Sequence, residues 1–259
     1  MKYYIVNAFA DEMFKGNPTG VCILDNIISD SLMQKIAEEN NLSETAFVIK
    51  NENRYDLKWF TPKSEVALCA HATLGASYVI SNYIDIGNNS MTFNTASGEL
   101  KVNRNKDLYE IELPLTMPKK IKLSHKIISD IFHIYPTEIY LSRDLFLVFD
   151  SQKQIEALTP DFTKMDKLEE GLGVIATSKG DNTDFVSRCF FPKLGVNEDS
   201  ATGSAHSSLA PFWSKRLNKT IMTAKQLSSR GGTLYCEISD GKVKICGKVI
   251  PYLSGNIDI

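Results

Sequence analysis

No charge of either sign dominates this sequence: 29 Lys and Arg face 31 Asp and Glu, and the formal net charge at pH 7 is -2 with His neutral. A chain without surplus basic residues lacks the counterion-release term behind non-specific nucleic-acid binding, so DNA and RNA are not expected partners. Long apolar runs are missing too. The longest uncharged stretch, Val66 to Ile84, carries His71, Thr73, Ser77, Ser81 and Asn82, which suits a buried helix with its entry loop and not a bilayer span, so no membrane is expected. Cysteine is scarce and scattered. Cys22, Cys69, Cys189, Cys236 and Cys246 make an odd number without a Cys-x-x-Cys pair, which argues against a disulfide framework or zinc ribbon and fits a reducing cytoplasm. The N-terminus reaches Asp11-Glu12 before a signal-peptide core could form and reads as a first strand.

With 43% hydrophobic and 23% charged residues the composition is that of a folded globular chain, which excludes disorder, collagen-like repetition and a coiled coil. Its 259 residues exceed the usual domain size of ~100–150, and the expectation is two domains. Residues 1–117 form the first, closed off by Pro114 and Pro118. Residues 118–247 form the second, and residues 248–259 can return to the first.

Along the chain, Tyr3 to Phe9 reads as a strand, Gly16 to Gly20 as a turn and Val21 to Leu24 as a strand. A helix capped by Ser29 or Asp30 ends at Asn40-Asn41, and strands follow at Thr45 to Ile49 and Tyr55 to Phe60. A helix of small and apolar residues runs from about His71 to Asn82. Met91 to Leu113 alternates as an antiparallel meander. The second half repeats this plan, with a small-residue helix over roughly Thr202 to Lys215. Ala70-His71-Ala72-Thr73-Leu74-Gly75 matches Ala205-His206-Ser207-Ser208-Leu209-Ala210, each preceded by a Phe-x-Pro strand end and an acidic loop, which points to an internal duplication. Two similar domains make a cleft, and free N–H groups at the helix starts would favour an anion in it.

Among candidate chemical groups, Glu44 stands between the helix-ending Asn40-Asn41 and an apolar strand. Leu42, Ala46 and Phe47 would desolvate it, and a desolvated carboxyl group can both donate and accept a proton; a strand-edge carboxylate facing water is the plainer alternative. In Glu198-Asp199-Ser200-Ala201-Thr202-Gly203-Ser204, the acidic and hydroxyl groups suit helix capping and ligand binding equally. His71 and His206 begin the two buried helices, where a hydrogen-bonded core role competes with a site role. The four histidines, His71, His125, His133 and His206, show no His-x-x-x-His or His-Glu-x-x-His spacing, and no phosphate-cradling glycine loop occurs, so neither a metal nor another cofactor is expected.

Phe14-x-Gly16-Asn17-Pro18-x-Gly20-Val21, Asn41-Leu42-Ser43-Glu44-Thr45-Ala46-Phe47, Trp59-Phe60-Thr61-Pro62, Leu68-Cys69-Ala70-His71-Ala72-Thr73-Leu74-Gly75 and Glu198-Asp199-x-x-Thr202-Gly203-Ser204-Ala205-His206 together resemble the phenazine-biosynthesis isomerase (PhzF-like) family, over essentially the whole chain. The resemblance implies an α+β, diaminopimelate-epimerase-like fold of two similar domains, each a mostly antiparallel sheet wrapped around a central helix, with the catalytic cleft between them. It implies a homodimer and cofactor-free proton transfer on a small, cyclic carboxylic acid, with Glu44 moving the proton and His71, Asp199 and Ser204 at the matching catalytic positions. Asn17, Ala70, Ala72, Gly203 and Ala205 fall at the substrate. Two departures stand there: the usual Cys-Gly-His-Ala is Cys69-Ala70-His71-Ala72, and the usual Glu-Asp-Pro is Glu198-Asp199-Ser200, so specificity transfers less safely than chemistry. Two other readings compete. One is a two-base racemase using Cys69, which has no thiol partner near Ser200-Ala201; the other is a carboxylate-binding protein without activity, for which a desolvated Glu44 would oppose the ligand.

Overall fold

The computed structural model describes residues 1–259, the side chain of His125 excepted. It divides into two units, Met1–Glu112 with Lys244–Ile259, and Leu113–Val243. The divisions fall at 112/113 and 243/244, a few residues before the 117/118 and 247/248 expected from the prolines. Pro114 is the last residue of a strand and closes no unit.

In the first unit, β1 (Lys2–Ala8) pairs antiparallel with β2 (Asn17–Leu24), and β2 lies parallel to β3 (Glu44–Asn51) after the crossover helix α1 (Asp30–Asn40). β4 (Arg54–Phe60) is antiparallel to β3, and the short β5 (Glu65–Val66) is antiparallel to β4. Helix α2 (Ala70–Val79) follows. β6 (Ser90–Thr95) then lies parallel to β4, and β7 (Gly98–Asn105) and β8 (Leu108–Pro114) complete a meander.

The second unit holds β9 (Lys119–Lys120), α3 (His125–Phe132), β10 (Glu138–Leu141), β11 (Leu145–Val148), α4 (Gln152–Glu156), α5 (Phe162–Met165), β12 (Val174–Lys179), β13 (Phe185–Phe191), β14 (Val196–Asp199), α6 (His206–Leu217), β15 (Ile221–Gln226) and β16 (Gly232–Ser239). Its pairings recur in the same order: β10 antiparallel to β11, β11 parallel to β12, β12 antiparallel to β13, β13 antiparallel to β14 and parallel to β15, β15 antiparallel to β16. The last strand, β17 (Lys242–Asn256), pairs antiparallel with β1. Where the first unit opens β3 with Glu44, β12 opens with the apolar Val174, so the repeat of pairings does not repeat the carboxylate.

Helix α2 is buried on nearly every side, which is why its residues are small. Two of its hydroxyls turn back on the helix: Thr73 Oγ1 donates to Cys69 O at 2.6 Å and Ser77 Oγ to Thr73 O at 2.8 Å. Gly75 is the point of closest approach, where a Cβ would stand 2.5 Å from Thr19 Cγ2 and 3.0 Å from Val6 Cγ2. The helix stops as such at Val79, and the expected extension to Asn82 is a π-helical turn over Ile80–Ile84, closed by Asp85 N–H on Ile80 O at 2.8 Å.

Helix α6 contains Pro211, which cannot donate to the carbonyl of Ser207; that carbonyl accepts instead from Thr116 N–H at 2.9 Å. Trp213 Nε1 donates to Thr177 Oγ1 on β12 at 2.9 Å and fixes the helix against the sheet.

Three further elements differ from their sequence expectation. Asn17 to Gly20 is strand rather than turn, because these residues pair with Ala8 to Ile5 on one side and continue into β3 pairing on the other; Pro18 sits near the strand's start, where a missing N–H costs least. The reversal lies just before it, at Gly16 with φ of +72°. Val196–Asp199 is strand β14, not a loop. Finally, α6 begins at His206 instead of Thr202: Gln226 Oε1 accepts from Thr202 N–H at 2.7 Å, and Gly203 to Ala205 form a tight turn that feeds His206, Ser207 and Ser208 through i to i+3 bonds.

Candidate active site

The end of α1 sets the position of Glu44. Asn41 takes the left-handed conformation (φ 47°) with its N–H on Ala37 O, the chain turns through Leu42 and Ser43, and Glu44 enters β3 opposite Thr19. The Thr19 hydroxyl donates to the Glu44 backbone carbonyl at 3.0 Å, so the residue is anchored before its side chain is considered. The side chain is 19% exposed, and its Oε2 atom is buried 2.9 Å from His71 Nε2. Oε2 takes no well-aligned hydrogen bond, so the contact is an ion pair at close range.

His71 lies in the first turn of α2 and is buried. Asn17, fully buried, places Nδ2 3.4 Å from His71 Nδ1, while Ser43 Oγ donates to Asn17 Oδ1 at 3.0 Å. Cys69, the extended residue before α2, brings its sulfur 3.4 Å from the same ring nitrogen. Burial disfavours a charged imidazole, but the Cys69 and Glu44 side chains at its edge outweigh it and hold the His71 pKa well above the ordinary 6.5. Burial, with the Glu44 carboxylate adding to it, pushes the Cys69 thiol up, while the neighbouring His71 works the other way. With Asn17 donating to Nδ1, or with the ring fully protonated, Nε2 carries a hydrogen toward Glu44 in either case.

In the second unit, Asp199 is half-buried at the end of β14, and its Oδ2 accepts from Thr202 Oγ1 at 2.5 Å. Gln226 ties this segment down by donating to Asp199 O at 2.7 Å and to Thr202 Oγ1 at 3.1 Å. Ser204 is half-buried and lies 3.4 Å from Arg143 Nη2, a guanidinium held by the buried Asp144 at 2.7 Å. Gly203 and Ala205 are buried beside it. Glu198 is occupied elsewhere: both its oxygens accept from Arg188, at 2.7 and 2.9 Å.

His206 is fully buried, its Nδ1 3.0 Å from Thr202 O and its Nε2 without a partner. Burial depresses its pKa to about 4, so at neutral pH it is an uncharged core residue.

Within the first unit the structure therefore brings Asn17, Glu44 and His71 together, with Ala70 and Ala72 buried on α2 beside the histidine. Within the second it gathers Asp199, Gly203, Ser204 and Ala205 in one strand-to-helix turn. Sequence pattern gives no sign of the roles of Ser43, Arg143 and Arg188. Gln226 leaves a trace there, as a polar residue at an inward position of an alternating strand. Ligand-capable atoms of Glu44, Cys69 and His71 all lie within 4.8 Å of one another, a grouping that spacing along the chain does not show.

The family model described as phenazine biosynthesis-like protein (PhzC-PhzF) matches residues 6–255. An uncharacterised isomerase of Pseudomonas aeruginosa is 43% identical over 98% of this chain and 97% of its own. The crystal structure of a phenazine biosynthesis PhzC/PhzF protein from Clostridium difficile (strain 630) superposes with a TM-score of 0.96 at 50% identity, covering 100% of both chains. A hydroxyproline epimerase from Agrobacterium vitis shares the fold at a TM-score of 0.61, covering 98% of this chain and 91% of its own at 10% identity.

Proposed function

This chain belongs to the phenazine biosynthesis-like family and is an isomerase, and from that premise we propose that it moves a proton between carbon atoms of a small, cyclic carboxylic acid, with Glu44 as the group that takes and returns the proton. The observation that carries this reading is the division of labour in the Glu44 carboxyl group. Oε2 is buried against His71 Nε2, so the exposure that remains to the side chain leaves Oε1 as the oxygen for a substrate proton. A carboxylate at Oε1 removes a proton from one carbon, becomes a neutral acid, and delivers a proton to another carbon. The substrate is rearranged and the enzyme restored, with no atom gained or lost. His71 opposes the loss of charge at Oε2 while Glu44 is ionised and tolerates its neutralisation when the proton arrives.

His71, Asn17 and Ser43 are positioning residues in this reading, each acting on Glu44 through the next. Asp199, Ser204 and the backbone around Ala70, Ala72, Gly203 and Ala205 are proposed to hold the substrate. A homodimer, a cytoplasmic setting and the absence of a required cofactor belong to the same proposal. No helix among the described residues is long and apolar enough to cross a membrane. The thiol-based racemase reading gains nothing from the site, since burial pushes the Cys69 thiol up and a protonated thiol is a poor base.

Solvent deuterium incorporation, followed by mass spectrometry across small cyclic and amino carboxylic acids, tests the proposal before any product is identified. Incorporation into a cyclic carboxylic acid that depends on Glu44 supports it, and incorporation that survives Glu44→Gln but not Cys69→Ser replaces it with the racemase reading.

A further inference from the structure

Arg143 lies in the turn before β11 with its side chain 51% exposed, while the Asp144 side chain that holds it is 2% exposed. Asp144 takes one edge of the guanidinium, accepting from Nε and, at 2.7 Å, from Nη2. Both hydrogens of Nη1 and one of Nη2 remain, and Nη2 stands 3.4 Å from Ser204 Oγ in the turn before α6. We propose that Arg143 is the anchor for the carboxylate group of the substrate, with the Ser204 hydroxyl as its second donor, and that this pair selects a carboxylate over a neutral group of the same shape. The inference rests on the reading above that the substrate is a small carboxylic acid.

The internal repeat gives Arg143 its place. In the first unit Thr45 pairs with Phe60 and Gly20 with Thr45; in the second Val174 pairs with Phe190 and Leu145 with Val174. Phe60 and Phe190 each begin a Phe-x-Pro strand end, so Leu145 takes the place of Gly20, and Arg143 that of Pro18, directly after Asn17. At the helices, Cys69 stands two residues before His71 and Ser204 two residues before His206. The chain entering β2 thus sends Asn17 to the start of α2, its Nδ2 3.4 Å from His71 Nδ1, and the chain entering β11 sends Arg143 to the start of α6. The register counterpart of Glu44 is Gly173, where a Cβ would meet Phe191 Cδ1 at 2.2 Å. That ring fills the space an acid would need, and it lies 5.9 Å from Arg143 Cζ. The second unit therefore offers a cation where the first offers a carboxylate.

The anchor is set before a ligand arrives. Leu172 N–H donates to Arg143 O at 3.0 Å, and the Ser142 and Ser208 hydroxyls meet at 3.2 Å, which ties the turn to α6. One hydrogen on Nη1 and one on Nη2 point outward side by side and match the two oxygens of a carboxylate. An incoming oxygen can take the Nη2 hydrogen from Ser204, whose contact is long, while the serine turns its own hydrogen to the same anion. Two acids belong to this region: Asp144, and Asp199 with its Oδ2 engaged by Thr202. Without the guanidinium their charge opposes an anion, so removing Arg143 should weaken binding strongly.

Benzoate is the probe and benzamide its neutral counterpart, each titrated by calorimetry into the full chain. The unaltered chain should bind benzoate roughly tenfold or more tightly than benzamide. Arg143→Gln should bind benzoate roughly tenfold or more weakly and benzamide as before, and Arg143→Lys should fall between, keeping the charge without the fork. Because Arg143→Gln leaves Asp144 buried without its cation, the double variant Arg143→Gln/Asp144→Asn, which removes both charges together, is measured beside it with circular dichroism and should lose benzoate to the same degree. The anchor is overturned if the unaltered chain binds the two probes alike, or if the folded double variant binds benzoate as the unaltered chain does. In the exchange arm, Arg143→Gln should raise the concentration of a responding acid needed for half-maximal deuterium incorporation by roughly tenfold or more. An unchanged concentration overturns the anchor and leaves Glu44 as the acid–base group. Benzoate binding that depends on Arg143, in a chain that exchanges no acid, would count against the proposed function and leave the carboxylate anchor standing.

Discussion

His71 Nε2 stands 2.9 Å from Glu44 Oε2, and this contact makes the two oxygens of one carboxyl group unequal. One is buried against a cation; the other is left to the open side of the residue. The arrangement depends on β3 starting at Glu44 and on α2 starting within two residues of His71. The inequality therefore arises from backbone placement, with Asn17 and Ser43 holding the ring from behind.

Replacing Gly75 tests the seat of α2. An alanine Cβ there would meet Thr19 Cγ2 at 2.5 Å, and neither the buried strand nor the helix has room to yield. Gly75→Ala should destabilise the chain by about 1–3 kcal/mol. Urea denaturation should show a lowered midpoint with an unchanged slope, and an unaltered midpoint would mean that the helix can shift freely.

His206 makes stability depend on pH. Its folded pKa of about 4 lies below the unfolded 6.5, so the unfolded chain binds the proton more readily. The stabilisation is complete above pH 6.5, is lost as pH falls from there toward 4, and stays lost below. The total is roughly 3 kcal/mol. Comparing His206→Gln with the unaltered chain by urea denaturation at pH 4, 5, 6 and 7 isolates this from the carboxylates that titrate in the same window: the slope of stability against pH should be shallower in the variant.

Arg188 and Glu198 form a two-pronged pair with side chains only 12% and 21% exposed, and Arg188 also donates to the carbonyls of Ile155 and Leu158. Glu198→Gln leaves the guanidinium buried without its counter-charge and should cost about 3 kcal/mol in stability. Deuterium exchange per folded molecule should stay within about twofold, because the pair is structural in this account. A large fall in exchange with stability intact would move Glu198 into the chemistry.

Several of these relationships are partly legible in the sequence. Asn40-Asn41 before an apolar run marks a strand from Thr45, one residue after the Glu44 at which the strand begins, and the small residues of Ala70 to Ser77 mark a helix without an outward face. Gly-Asn-Pro is turn chemistry and by itself places Asn17 in a turn, yet pairing with strands on both sides overrides that local preference. Local pattern starts α6 too early because Gln226, distant in sequence, captures the N–H of Thr202. Glu198 looks equivalent to Asp199 until neighbouring strands set Arg188 across from it. The contacts that sequence pattern does not show are those between groups far apart in the chain, such as Asn17 with His71 and Ser142 with Ser208.

His71→Asn separates positioning from proton transfer. Asparagine ends near the Nδ1 position of the ring, short of Oε2, and cannot carry the charge, so exchange should fall by about tenfold to a hundredfold, less than on loss of the acid–base group itself. Far-ultraviolet circular dichroism and a urea midpoint read alongside the rate distinguish this from loss of fold. A rate equal to that of the unaltered chain would remove His71 from the mechanism.

The most direct measurement is solvent deuterium incorporation by the unaltered chain and by Glu44→Gln, on the same responding carboxylic acid and with equal amounts of folded protein. The amide keeps the shape of the side chain and its place beside His71, but it cannot accept and return a proton. Exchange should fall by about 10²–10⁴ while the fold and carboxylate binding persist. Full exchange by Glu44→Gln would contradict Glu44 as the acid–base group.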